Sequence, residues 1–488
     1  MKKEQLEIIK DKLLTHIKKI YKSIGIYISI SIQESIEKTA LAKNVDGNTF
    51  DGNNIIRYCI EMVNPKGIIL KCEHEKMKLE ELYHIIDEMV CSYENTRTNE
   101  MGMIYYKYIS AVPVIHDMVK NGEKFLLDEE ELNAVLKSIN HLMREKVKLS
   151  NVRYSTYCLQ FFESTLFLNS SGSFIYTQDN HFSIRTSICN DFITQQLSMY
   201  GNKIDKKCIS ILIDRLQMKY QYKIDVIRYG KVKNSEQSLS KYRYIIFDFD
   251  LFGTILHESI GHAFESNGKK NDMLYKIGEQ LPCLNVDITD SGLISDWVKV
   301  KYDSYGNRRY GICLIENGIV KNHLYGIFGA LMGKKWNYCD RKSKSGDIPQ
   351  SRMTTIDMSI NRACYTKKYY QSLLTLMKDM SNMSDVLFLI GSRSGEYNIQ
   401  NNRVTVFPEF ACSISNGNIT YWNVKKISFN AKDAISNIIS GYGKKCERYN
   451  FCEKNGQTVP TSSILNQFVL TNNFLKNYSD SEKFSLTI

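Results

Sequence analysis

Leu6, Ile9, Leu13, Ile17 and Ile20 recur at helical spacing, which predicts an amphipathic helix over residues 4 to 21. Ile26, Ile28, Ile30 and Ile32 then alternate with other residues, the period of a half-buried strand. Two more strands are expected at Asn53 to Val63 and Ile68 to Glu73, with Asn64-Pro65-Lys66-Gly67 as the turn between them. Helical patterns recur at Met77 to Val90, at Asp128 to Glu145 and at Asp205 to Tyr220. Asp128 and Glu131 are spaced as a capping box. Another strand pair flanks Asn169-Ser170-Ser171-Gly172.

Arg228 to Lys241 is polar and aperiodic, and reads as a junction. Beyond it, Tyr244 to Phe249 predicts a buried strand. The second half is then rich in short strand-like runs and glycine turns. Tyr310 to Glu316 precedes Asn317-Gly318, and Cys412 to Ser415 and Ile419 to Asn423 flank Asn416-Gly417. The expected class is α+β in two domains, residues 1–240 and 241–488, with a mostly antiparallel second half.

Composition changes this picture little. A 43% hydrophobic and 11% aromatic content supports real cores over 488 residues. The net charge of +11 is scattered along the chain with no long Lys/Arg block, so it reads as a solvated surface and argues against a nucleic-acid partner. The 13 Cys are odd in number and have no Cys-x-x-Cys pair, which points to free thiols in a reducing compartment. The start Met-Lys-Lys-Glu-Gln-Leu-Glu lacks the apolar core of a signal peptide, and no run reaches the roughly 18 apolar residues of a membrane span. The cytoplasm is the expected location, with no membrane partner.

The densest chemistry lies in His257-Glu258-Ser259-Ile260-Gly261-His262. Two imidazoles can bind a divalent cation and the carboxylate can take a proton from water. The two His are five residues apart, about 140° on a regular α-helix at about 100° per residue, so they would diverge. One ion can hold both only if the helix widens locally, as in a π-bulge, and Gly261 would ease that distortion. A catalytic zinc needs a third protein ligand. Helical spacing favours Glu265, three residues after His262, but cannot rank a distant Cys.

The chain resembles the TldD/PmbA family of metallopeptidases, on its TldD-like side. His257 to Glu265 is similar to the HExxGHxxE signature. Tyr302-Asp303-Ser304-Tyr305-Gly306-Asn307 and Leu314-Ile315-Glu316-Asn317-Gly318 resemble the D-x-x-G strand and the LIENG turn. Ser351-Arg352-Met353-Thr354 and Cys452-Glu453-Lys454-Asn455-Gly456-Gln457-Thr458-Val459-Pro460 resemble P-R-M-[ST] and C-G-K-x-G-Q-x-x-P. The first half matches only in pattern.

The resemblance implies an N-terminal α/β domain and a C-terminal domain carrying the metal site. It implies Zn²⁺ on His257, His262 and Cys452, with Glu258 as general base to the water that the zinc activates. Glu265 then becomes a residue that orients a ligand His. Substrates would be unfolded or small, modified peptides, and the partner a second copy or a PmbA/TldE-like subunit. Glu453 in place of Gly, Asn267 in place of Asp, Pro349 two residues early, the run Thr461 to Asn466 and the missing closing Gly-Gly depart from the pattern; they bear on substrate fit more than on metal binding. Arg352 is a candidate either for a peptide carbonyl or carboxylate or for a structural ion pair. Competing classes are a metal-stabilised scaffold, a nucleic-acid-binding protein and a metal amidohydrolase on a non-peptide amide. In a scaffold, Glu265 or Cys446 would complete a four-ligand structural zinc.

Overall fold

A computed structural model describes the chain except residues 1–2, 44–45, 94–97, 122–126, 148–152, 190–193, 202–203, 205–208, 210–230, 233–241, 267–272, 284, 296–297, 362–369, 371–372, 381–384, 416–417, 423, 425 and 479–488. All of the expected helix at 205–220 but Ile209, nearly all of the junction at 228–241, and Asn267 lie outside the described residues.

The first half is a seven-stranded sheet covered on one face by helices. Its order is Ile69–Glu75, Asp46–Val63, Tyr27–Lys43, Arg153–Asn169, Phe174–Cys189 and His116–Asn121, with Thr194–Gly201 also paired to Phe174–Cys189. Neighbours are antiparallel except His116–Asn121, which runs parallel to its partner. Helical residues 3–24 lay Leu6, Leu13 and Ile17 on Ile28, Ile30 and Leu166. A π-helical turn, Ile9–Leu13, interrupts this helix. Helix Glu129–Val147 packs Leu132, Leu136 and Ile139 on Cys158 and Ile184. Its start is the expected capping box: Asp128 Oδ1 accepts from the Glu131 amide and Glu131 Oε2 from the Asp128 amide, both at 2.9 Å.

The first strand runs from Tyr27 to Lys43, well past Ile32. Past that point its alternation is masked, because Glu34 and Lys38 interrupt the helix-facing row. Pairing on both sides continues nonetheless, from Ser29↔Asn169 to Lys43↔Ser155 on one edge. Asp46–Val63 is longer than expected for the same reason.

The uncovered face of this sheet is polar. It presents Ser31, Gln33 and Ser35 from one strand and Glu163 and Thr165 from the next to a cavity of about 630 Å³, closed by C-terminal segments that include Arg341 and Pro460. Beside it, Tyr27, Val63 and Tyr105 pack against Tyr305, Ile327 and Trp336, joining the two halves. Gln33 donates to Glu163 Oε2 at 2.8 Å. Burial pushes Glu163 up to about 7, against the lowering effect of that amide. A raised carboxyl stabilises the fold below its unfolded value of 4.5, and that contribution is lost as pH rises through about 7. Glu163→Gln is therefore expected to flatten the fall in stability between pH 5 and 8. The gain at pH 8 should be about 2 kcal/mol, discounted because the cavity admits water. Denaturant titrations at the two pH values read it.

The second half holds a twelve-stranded mixed sheet. Most neighbours are antiparallel, as expected, but Tyr244–Asp248 runs parallel to Val386–Asn398, and Thr355–Ile360 parallel to Gln457–Asn472. Lys231–Val232 also joins this sheet, parallel to Asn418–Trp422. The Asn317-Gly318 turn follows Ile312–Glu316, with Asn317 at φ 48° and Gly318 at φ 75°, both in the left-handed region such a turn needs. Arg403–Ser415 and Asn418–Trp422 pair as the expected hairpin.

Candidate metal centre

Tyr244–Asp248 lies in the middle of the sheet, antiparallel to Gln457–Asn472 on one side and parallel to Val386–Asn398 on the other. Its last residue starts the helix Phe249–Leu256. Asp248 accepts from the Leu251 amide at 3.0 Å, an N-cap, and also from the Gly391 amide on the neighbouring strand. Leu251 to Leu256 are all buried, so this is an internal helix.

Its continuation, His257–His262, is a π-helix. The widened turn brings residues five apart onto one side. The rings of His257 and His262 stand 5.0 Å apart, nearly perpendicular. The local widening that the five-residue spacing demanded is thus present. Gly261 has a different role from the one expected. Its φ is not in the left-handed region, but a Cβ there would lie 2.1 Å from Met353 Sδ, so the absent side chain makes room for Met353.

Cys452 comes from the hairpin of Ile438–Lys454 and Gln457–Asn472. Its Sγ lies 3.3 Å from His262 Nε2. Ligand atoms of His257, His262 and Cys452 all fall within 4.8 Å of one another. His257 and Cys452 are buried, while the His262 side chain keeps 14% of its surface. Glu258 Oε2 lies 4.0 Å from His262 Nε2.

Electrostatics favour the ligating form of the thiol. Burial alone would raise Cys452, yet the imidazoles of His257 and His262 bring it down to about 5. Burial would lower His262, but the Glu265 carboxylate and Cys452 raise it to about 10. A thiolate between two imidazoles is a donor set suited to zinc.

Glu265 is outside this group. Its Oε2 meets His262 Nδ1 at 3.0 Å and its Oε1 accepts from the Met353 amide at 2.9 Å. Burial works against its charge, but Lys454 and His262 hold it well below the usual carboxylate range. Cys446 also stands apart, its thiol 3.9 Å from the Lys444 carbonyl. Among the described residues neither joins the three donors.

Arg352 is wholly buried and bonds the protein's own backbone: Nη2 donates to the Cys452 carbonyl at 2.7 Å and Nη1 to that of Gln457 at 3.3 Å. Arg341 donates to the Met353 and Pro460 carbonyls, each at 2.8 Å. The two guanidiniums tie residues 352–354 to the cysteine hairpin, so the structural reading of Arg352 holds. Sequence reasoning missed Gly395. A Cβ there would lie 2.4 Å from Thr254 Cγ2 and 3.1 Å from Glu258 Cγ, so strand Val386–Asn398 passes closely over Glu258. It also missed Lys454, although strand periodicity puts that residue on the same face as Cys452.

Residues 240–467 match the PmbA/TldA metallopeptidase C-terminal domain. A metalloprotease of Methanothermobacter thermautotrophicus is 28% identical over 222 residues, 44% of this chain and 46% of that protein. A metalloprotease of Methanocaldococcus jannaschii is 24% identical over 340 residues, 68% and 71% of the two chains. A metalloprotease TldD homolog of Buchnera aphidicola is 25% identical over 236 residues, 46% of each. Against most of these curated relatives the chain spans about half of their length. Among solved structures, TldE from Thermococcus kodakarensis superposes with a TM-score of 0.67 at 13% identity, over 95% of this chain and 98% of that one. A Thermotoga maritima protein described as a proposed modulator of a DNA gyrase gives 0.69 at 14%, over 96% and 98%. The fold likeness extends over nearly the whole chain, and the sequence match, to the C-terminal domain of PmbA/TldA metallopeptidases, lies in the half that carries the donors.

Proposed function

We propose that the chain is a zinc-dependent metallopeptidase acting on unfolded or small peptides, with residues 241–488 as its peptidase domain. His257, His262 and Cys452 would hold the ion, and Glu258 is the general base. One observation carries the reading: donor atoms from a π-turn and from a hairpin some 190 residues later lie within 4.8 Å of one another. Three protein ligands are the number found at catalytic zinc, where a fourth position serves water or substrate. Zinc bound there would supply Lewis acidity toward a carbonyl and toward water.

The rest of the chemistry belongs to the chain's own side chains. Glu258 takes the proton of the attacking water on its carboxylate and returns it to the leaving nitrogen. Glu265 accepts from His262 Nδ1 and so keeps the Nε2 lone pair turned to the donor cluster. Gly395 leaves the Glu258 carboxylate its position, because any side chain there would push on it. Gly395→Ala is therefore expected to lower kcat roughly 10–100-fold while zinc content stays at the parent level. Metal analysis beside steady-state kinetics checks it.

The substrate is taken to lie as an added strand on a sheet edge. The same reading takes the partner to be a second copy of the chain or a PmbA/TldE-like subunit, and the location to be the cytoplasm. The deciding experiment screens a peptide library with the zinc-loaded chain, alone and with such a subunit. Cleavage in either arm supports the reading. Full zinc occupancy with no peptide cut in either arm removes it, and turnover of non-peptide amides alone would make the protein an amidohydrolase.

A further inference from the structure

Lys454 has no part in the reaction described above, yet it reaches into the metal centre. Cys452 and Lys454 are two apart on strand Ile438–Lys454, so both side chains leave the same face. Cys452 Sγ faces His262 Nε2 at 3.3 Å. Lys454 Nζ lies 2.5 Å from Glu265 Oε2, the oxygen that also meets His262 Nδ1 at 3.0 Å. One strand thus addresses both nitrogens of one imidazole, the first directly and the second through a carboxylate.

The carboxylate is fully buried, with Met353 N at 2.9 Å and Arg352 Nε at 3.7 Å on its other oxygen. The Lys454 side chain keeps 15% of its surface, so its ammonium is largely desolvated. A desolvated charge pair is specific in geometry, because moving either partner strands a charge. The pair spans 189 residues and joins the π-turn helix to the hairpin. It therefore fixes how far the hairpin slides along the helix, and so where the thiolate stands relative to the imidazole.

We propose that Lys454 is a positioning residue for the metal. Its ion pair with Glu265 sets the ring orientation of His262 and the register of Cys452 together, and so tunes affinity for zinc. This deepens the zinc reading of the same site and rests on it.

The test compares the parent chain, Lys454→Met and Lys454→Arg by zinc affinity in chelator competition and by the thiolate-to-metal absorption of the cobalt(II)-substituted proteins. Lys454→Met should bind zinc ~10–100-fold more weakly, the usual effect of losing an outer partner of a metal ligand, with an altered cobalt spectrum. Lys454→Arg keeps the charge and should recover most of the affinity and the parent spectrum. A merely structural lysine would change stability and leave the spectrum alone. Lys454→Met matching the parent in affinity and spectrum overturns the proposal, as does Lys454→Arg failing as badly as Lys454→Met. If Lys454→Met does not fold by circular dichroism, Lys454→Gln replaces it with the same outcomes. A parent chain that binds neither zinc nor cobalt would refute the zinc reading itself, a result distinct from any of these.

Discussion

Glu258→Gln is expected to bind zinc as the parent chain does and to cleave peptides ~10²–10⁴-fold more slowly, the range that one general base commonly supplies. Gln fills the same volume, and Gly395 leaves room for either side chain, so nothing in the packing should change. What is lost is the acceptor for the proton of water. The donors His257, His262 and Cys452 are untouched, so metal content separates lost chemistry from lost binding. Cleavage at the parent rate with full zinc would take the role from Glu258. No change in the cobalt(II) spectrum is expected, because Glu258 is not among the three donors.

Cys452→Ala is expected to lose zinc itself. Two imidazoles remain on the π-turn, and among the described residues no other His, Cys, Asp or Glu is grouped with them as a third donor, Glu265 being engaged on the Nδ1 side of His262. Affinity should fall by more than the ~100-fold that marks the upper range for an outer partner. Peptide cleavage should fall with it and recover only partly at high zinc. Metal analysis after chelator competition is the measurement. Unchanged zinc content and affinity would refute the ligand role. The same variant loses the linkage between metal and fold: a parent chain at 100 times its zinc Kd gains ~2.7 kcal/mol against unfolding, and Cys452→Ala should gain almost none at that concentration.

The two halves of the metal site differed in how far the sequence exposed them. The five-residue spacing of His257 and His262 is a local conflict with the α-helix, and local conflicts can be read from sequence: it required a widened turn, and the π-helix is there. Cys452 is a long-range contact. No spacing rule reaches across 190 residues, and the local rule pointed to Glu265 instead. The resemblance to TldD/PmbA proteins supplied what periodicity could not. Arg352 shows the same limit, because a charged side chain buried against carbonyls of another segment looks in sequence like any surface arginine. The strand Tyr27–Lys43 shows another. Its second half has one polar face on a cavity and charged residues on the other, so alternation vanishes although the ladder continues.

The distance between the π-turn and the cysteine hairpin matters during synthesis. At roughly 5–20 residues per second, the histidines leave the ribosome about 10–40 seconds before the thiol. Until Ile438–Lys454 has been made and has paired, no growing chain owns all three donors. The donor set on which the proposed peptidase chemistry depends is thereby completed only late in synthesis, by chain order alone.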